Sequence, residues 1–384
     1  MTVAAAEKHA PPRSPLEQEI RHLIRLAGPM PVARFMELCL AHPDHGYYIT
    51  RDPLGRTGDF TTAPEVSQMF GELIGLWAAS VWRQMNGPRT IRLVELGPGR
   101  GTLMADALRA IRIVPEFYQA VDVHLVEISP VLRAAQEKTL SGVKVPVSWH
   151  RSLDTVPDGP VILVANEFFD ALPIHQAVCL GTGWYERVIA IDDKDQLAYG
   201  VTQQPLPRFD LLVPAIARAA PTGSIFEWRP DGTMTALANR VRTSGGAALI
   251  IDYGHVRSNV GDTFQAIANH AFADPLKNPG EADLTAHVDF EALARAADDS
   301  GARIHGPIEQ ATFLQRMGIE TRAASLMSKA TPEVTDDIVG ALRRLTGTGR
   351  GGMGSLFKVL AISDPALTTL PGITDQPAPD EPAA

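Results

Sequence analysis

Apolar residues in this chain recur in two rhythms. Short continuous runs rich in Val, Ile and Leu fall at 91–95, 122–127, 145–149, 160–165 and 247–252, and again near 303–308 and 355–362. Runs of that length predict strands covered on both faces. Helical spacing fills about 102–112, 129–139 and 233–244 between them. Strands alternating with helices imply an α/β fold around a parallel sheet. Before this core, Pro15 and Glu17 suit a helix first turn, with Ile20, Leu23, Ile24 and Leu26 on or near one face. A second helical pattern over 31–41 carries Phe35, Leu38 and Cys39. A long apolar helix is expected over 64–85, where Trp77 and Trp82 suit either core or a homodimer interface. Residues 177–200 read as a hairpin beside the sheet. An irregular stretch over 263–288, of lid or docking character, leads into helices near 289–300, 310–328 and 332–346. From about 365 the chain turns rich in Pro, Asp and Ala, the composition of a disordered tail. The expected organisation is a helical N-terminal cap (15–90), an α/β core with a hairpin insertion (91–255), a largely helical insertion (256–345), final core strands (346–363) and a tail (364–384).

The first core strand ends in Glu95-Leu-Gly-Pro-Gly-Arg-Gly101. Strand, glycine turn at Gly97, Gly99 and Gly101, and helix N-terminus form a site for a nucleoside cofactor. A carboxylate at the strand end would repel a pyrophosphate but pairs well with an ammonium group. S-adenosylmethionine (SAM) is the cofactor that brings a cationic amino-acid end to this position, and the run resembles motif I of the class I methyltransferases. Glu127 ends the next strand, a little over the ~20 residues usual between a glycine loop and its ribose acid, and suits both ribose hydroxyls.

Further motifs sit where such a sheet opens its ligand crevice. Asn166-Glu-Phe-Phe-Asp-Ala-Leu-Pro173 follows the fourth strand. Asn166 offers a carbonyl oxygen to an amine or guanidinium. Glu167 and Asp170 can neutralise a cation or take its proton. Phe168 and Phe169 suit stacking or, more simply, the core. Gly58-Asp-Phe-Thr-Thr-Ala-Pro-Glu65 reads as a helix start, with Thr61 or Thr62 as cap and Pro64 at the first position. Its Phe60 and two hydroxyls also suit closure over a cofactor. Ser152 and Leu153, after the third strand, lie where backbone groups read adenine. In Asp283-Leu-Thr-Ala-His-Val-Asp289, His287 with either acid suggests a metal, while Asp289 more simply caps the next helix. Tyr253, at the fifth strand's end, suits the wall of an acceptor pocket.

Composition narrows the partners. Among 384 residues, 45% are apolar and 21% charged, and the formal net charge is −9. No basic stretch offsets that charge, which argues against binding nucleic acid through phosphates. The two cysteines, Cys39 and Cys179, have neither disulfide-framework nor metal spacing. No apolar run approaches the ~18 residues of a membrane span. The first fourteen residues fit neither a secretory signal nor a transit peptide, so the expected compartment is bacterial cytoplasm.

Taken in order, the runs 58–65, 95–101, 166–173 and 251–254 with Pro279-Gly-Glu-Ala-Asp-Leu-Thr-Ala-His-Val-Asp-Phe290 resemble the MidA family of SAM-dependent methyltransferases, over roughly residues 16–362. The resemblance implies a Rossmann-like class I methyltransferase sheet with the helical cap and insertion above. Eukaryotic members are mitochondrial, support assembly of respiratory complex I, and are associated with symmetric dimethylation of an arginine in a core subunit. It therefore implies a protein-arginine methyltransferase whose substrate is a protein such as a bacterial NADH dehydrogenase subunit. Cofactor contacts would map to Thr61, Thr62, Pro64, the glycine turn, Glu127, Ser152 and Asn166, with Glu167 and Asp170 facing the guanidinium. Familiar arginine methyltransferases use two glutamates on one hairpin, where this chain offers Glu167 with Asp170. Three other readings stay open: a SAM-binding assembly chaperone without turnover, a small-molecule methyltransferase, and a nicotinamide oxidoreductase, which Glu95 disfavours.

Overall fold

The seven core strands of this computed structural model, which describes residues 13–52, 62–181, 183–209, 213–268, 270–349 and 351–373, lie in one twisted sheet. They are β1 (Ile91–Leu96), β2 (Val121–Val126), β3 (Val147–His150), β4 (Val161–Asn166), β5 (Gly246–His255), β6 (Arg303–Glu309) and β7 (Phe357–Ser363). Their order across the sheet is β6-β7-β5-β4-β1-β2-β3. Neighbours from β5 through β4, β1 and β2 to β3 pair in parallel, and β7 runs antiparallel between β5 and β6. This is the Rossmann-like class I arrangement expected from the sequence. β4 is buried at every position, which is why it reads as an unbroken apolar run. The chain leaves β1 for β2 on one side and reaches β4 on the other. A crevice therefore opens beyond the carboxyl ends of β1 and β4, where ligands bind in such sheets.

Helices cover both faces. On one, Gln68–Gln84 packs against Thr102–Ala110 across Gly71 and Gly75. A Cβ at Gly75 would stand 2.7 Å from the carbonyl oxygen of Ala107, so the two helix backbones touch there. Gly75→Val is expected to lower stability by about 1–3 kcal/mol through overpacking, visible as a lower midpoint in urea. Trp77 and Trp82, 0% and 9% exposed, lie in this core, not on an interface. The helix expected over 64–85 is two, Ala63–Val66 and Gln68–Gln84. Ser67 separates them in extended backbone, its side chain accepting a hydrogen bond from the Met69 amide at 3.2 Å, a local bond that competes with helix continuation. The helix expected over 310–328 breaks likewise at Gly318, in the left-handed region at φ 86°, into Gln310–Arg316 and Ile319–Met327. Buried Glu72 accepts from Arg322 at 2.7 and 3.0 Å and from Arg109 at 3.0 Å, fastening the second of these helices to the core.

Three sequence expectations need correction. Residues 256–345 are not all insertion, because β6 and the helix Phe290–Asp299 belong to the core sheet and its covering layer. The stretch 263–288 is not irregular. It holds a small antiparallel sheet of Gln265–Ala268, Ala271–Ala273 and Asp283–Thr285, with Gln265–Ala268 in the middle. Finally, Leu367, Leu370 and Ile373 pack into the core, where a disordered tail was expected over 364–384; its remainder, 374–384, lies outside the described residues. The small sheet shares a core with the helices Pro15–Ala27 and Val32–Ala41, built on Ile20, Phe35, Cys39, Ile189 and Leu284. The expected hairpin, His175–Leu180 paired with Gly183–Ile191, is part of a larger antiparallel sheet that also takes in Met30–Pro31, Leu197–Val201 and Ile225–Trp228. Among the described residues, no helix is long and apolar enough to cross a membrane.

Candidate active site

A cavity of about 970 Å³ opens over the carboxyl ends of the parallel strands. Its floor at one end is the turn after β1. Gly97 and Gly99 take left-handed backbone at φ 59° and 54°, which only glycine adopts cheaply. A Cβ at Gly97 would also stand 2.9 Å from Phe168 Cδ2. Gly101 does not line the cavity. It begins the helix Thr102–Ala110 at φ 80° and lies against Gln136. Thr62, Pro64, Glu95, Gly97, Gly99, Glu127, Ser152, Leu153 and Asn166 all line the cavity, as do Glu167 and Asp170. Phe60 and Thr61 lie outside the described residues.

Two acids dominate this end. Glu95 is 3% exposed, and its Oε2 has no hydrogen-bond partner among the described residues. Burial, then the charge of Glu127, pushes its pKa up to about 8. A buried carboxylate without a partner is costly alone and well suited to an incoming ammonium group. Glu127 is oriented instead: Oε1 accepts from the Ser129 amide at 2.7 Å and Oε2 from Gln136 Nε2 at 3.1 Å. The same Gln136 nitrogen donates to the Gly99 carbonyl at 2.7 Å, and Trp149 Nε1 donates to Gln136 Oε1 at 3.0 Å. Gln136, 0% exposed, thus ties the acid to the glycine turn. Sequence reasoning missed it, and its one signal was a polar residue on the buried face of helix Pro130–Thr139. Glu95, Glu127 and the Ser152–Leu153 pair follow in sequence at the ends of β1, β2 and β3, an order that fits SAM.

Acids also line the other end, beyond β4. Asn166 is 8% exposed and its Oδ1 has no partner among the described residues. Glu167 sits at φ 48°, a strained conformation for a non-glycine residue that recurs at functional sites. Its Oε1 accepts from the Ala63 amide at 3.0 Å and Asn166 Nδ2 at 3.3 Å. Burial pushes its pKa up to about 7. Asp170 is buried, and burial raises its pKa against the opposing pull of the Tyr253 hydroxyl and the Arg229 cation. Phe169 is core, 2% exposed, whereas Phe168 lines the cavity.

Two residues behind this turn were not anticipated as its supports. Asp252, at the end of β5, accepts from the amides of Phe169 and Asp170 at 3.0 and 3.1 Å. Arg229 donates to the carbonyls of Asp170, Leu172, Ala286 and His287 at 2.7–3.3 Å. Tyr253 lines the pocket as expected, its ring edge-on to His287. Tyr48 donates to Asp283 Oδ1 at 2.7 Å, bringing another acid to the cavity wall. Asp289 caps the helix Phe290–Asp299 through the Ala292 amide at 3.0 Å.

Comparison with known proteins agrees with this geometry. Residues 73–308 match the family model described as "Putative S-adenosyl-L-methionine-dependent methyltransferase". The chain is 40% identical over 377 residues to the Drosophila melanogaster homolog of protein arginine methyltransferase NDUFAF7, mitochondrial, spanning 90% of this chain and 84% of that one. It is 37% identical over 382 residues to the Homo sapiens protein of that name, spanning 92% and 85%. A Burkholderia thailandensis structure with S-adenosyl-homocysteine bound superposes with a TM-score of 0.81 at 28% identity, covering 93% of each chain. The oxidoreductase reading falls away: SAM is the cofactor, and the chain belongs to this family of S-adenosyl-L-methionine-dependent methyltransferases.

Proposed function

We propose that this enzyme methylates a guanidinium nitrogen of an arginine in a protein, and that the protein is a core subunit of a respiratory NADH dehydrogenase. The observation that carries the reading is the acidic far end of the cavity, lined by Glu167, Asp170 and Asp283 together with Tyr48 and Tyr253. A guanidinium presents a planar fork of donors, and carboxylates are its natural partners. The names of the fly and human relatives support the same acceptor.

Bound SAM supplies an electrophilic methyl group on a sulfonium centre. The chain's own residues do the rest. Glu95 and Glu127 fix the amino-acid and ribose ends, with Ser152 and Leu153 beside the base. Asn166 Oδ1 and the Glu167 carboxylate orient the acceptor nitrogen, and Glu167 or Asp170 takes the proton it sheds. The enclosing walls exclude water. Alignment and desolvation of this kind are most of what a methyl transfer needs. The reading takes the bacterial cytoplasm as compartment, in keeping with the free thiols of Cys39 and Cys179.

The test is incubation of the purified protein with SAM and a purified bacterial NADH dehydrogenase core subunit, followed by peptide mapping. The expected result is S-adenosyl-homocysteine release and methylation confined to arginine. SAM binding with a stable complex but no transfer would favour the assembly-chaperone reading.

A further inference from the structure

The small sheet that sequence reasoning took for an irregular segment holds a row of side chains aimed at this cavity. Its register pairs Ile267 with Phe272 on one side and with Asp283 on the other. Residues directly opposite in neighbouring strands share a face, so Phe272, Ile267 and Asp283 stand abreast. All three line the cavity. They grade from outside to inside: Phe272 is 80% exposed on the edge strand, Ile267 is half-buried, and Asp283 is 4% exposed with Tyr48 holding one of its oxygens. With strands ~4.8 Å apart, the row is about as long as an extended arginine side chain.

We propose that this row is the acceptor-binding wall, a reading that rests on arginine as the acceptor. The arginine's methylene stem lies along Ile267, and its guanidinium meets Asp283 at the same end of the cavity as Glu167 and Asp170. The acceptor's backbone passes the rim, with an apolar residue beside the arginine packed on Phe272. Two features point to this occupant. An apolar side chain as exposed as Phe272, at the mouth of an acidic cavity, suits a segment whose arginine enters and whose neighbours stay outside. Ala271–Ala273, exposed throughout, is the sheet's outer strand, and free strand edges accept extended peptides. Several carboxylates converging on one end of the cavity also select a planar guanidinium, with its fork of donors, over the compact ammonium of lysine.

The test uses the full chain, SAM, and a purified bacterial NADH dehydrogenase core subunit as acceptor. Phe272→Ala removes no buried contact and should keep parental SAM affinity by calorimetry while raising the KM for the acceptor about tenfold, the loss usual for an aromatic interface anchor. Asp283→Asn should lower kcat/KM for arginine at least as much, with Asp283→Glu partly restoring it. If the parent methylates arginine and Phe272→Ala matches it in KM, the wall is wrong and the arginine reading survives. If the parent methylates lysine instead, both fall.

Discussion

Glu167→Gln lowers the rate of methyl transfer by roughly 10²–10³, the effect of removing one preorganised charge partner from a reacting group, and leaves SAM bound. Glutamine keeps the size of the side chain and an oxygen for the Ala63 amide. What it loses is the negative charge that faces the guanidinium and can accept its proton. The helix start at Ala63 therefore survives, and calorimetric SAM affinity should be close to that of the parent. The parent's pH profile carries the same signature. Glu167 titrates at about 7 because it is buried, so its charged form accumulates as pH rises through that value. kcat/KM for the acceptor should climb across this window, and the climb should vanish in Glu167→Gln. A mutant with the parental rate and the same pH rise would remove Glu167 from the chemistry.

The first half of the site was legible because its chemistry is local. Strand, glycine turn and helix start are neighbours in sequence, and Gly97 and Gly99 occur where left-handed backbone is required. The order of apolar runs likewise specified a parallel sheet, since strands covered on both faces leave continuous patterns. The acceptor side was legible only in part. Glu167 and Asp170 end a recognisable strand, but Asp283 and Tyr48 meet across 235 positions of chain. The sheet that brings Asp283 there was hidden because its strands are three or four residues long, and Ala-Phe-Ala and Gln-Ala-Ile-Ala lack the β-branched density that marks a strand. Arg229 left no periodic trace, and Gln136 left only a polar residue on the buried face of its helix. Each acts by satisfying polar groups that only the folded chain brings together. Ser67 and Gly318 show the reverse case, where one residue's local bonding or backbone freedom divides a helix whose apolar pattern runs straight through.

Removing either acid from the cofactor end should cost more binding than any other single change there, and the two should differ in kind. Glu127→Ala deletes an oriented acceptor pair and frees Gln136 from it, so SAM affinity should fall about a hundredfold or more, as when a buried hydrogen-bonded charge is truncated. Glu95→Gln should weaken binding and also change its proton balance. Burial holds Glu95 protonated up to about pH 8 in the free enzyme, whereas pairing with the ammonium of SAM requires the carboxylate. Binding near pH 7 should therefore release on the order of one proton, and affinity should rise with pH toward the ~7.7–8.0 at which an α-amino group itself deprotonates. Stability moves the other way. A carboxyl whose folded pKa lies above its unfolded value of ~4.3 stabilises the free protein fully below that pH, and the contribution fades as pH rises through about 8. Near pH 8 the ligand-free Glu95→Gln protein should thus melt higher than the parent while binding SAM more weakly. Calorimetry in two buffers of different ionisation heat reads the proton release, and a thermal melt reads the stability. Parental affinity with no change in proton release would take Glu95 out of the cofactor site.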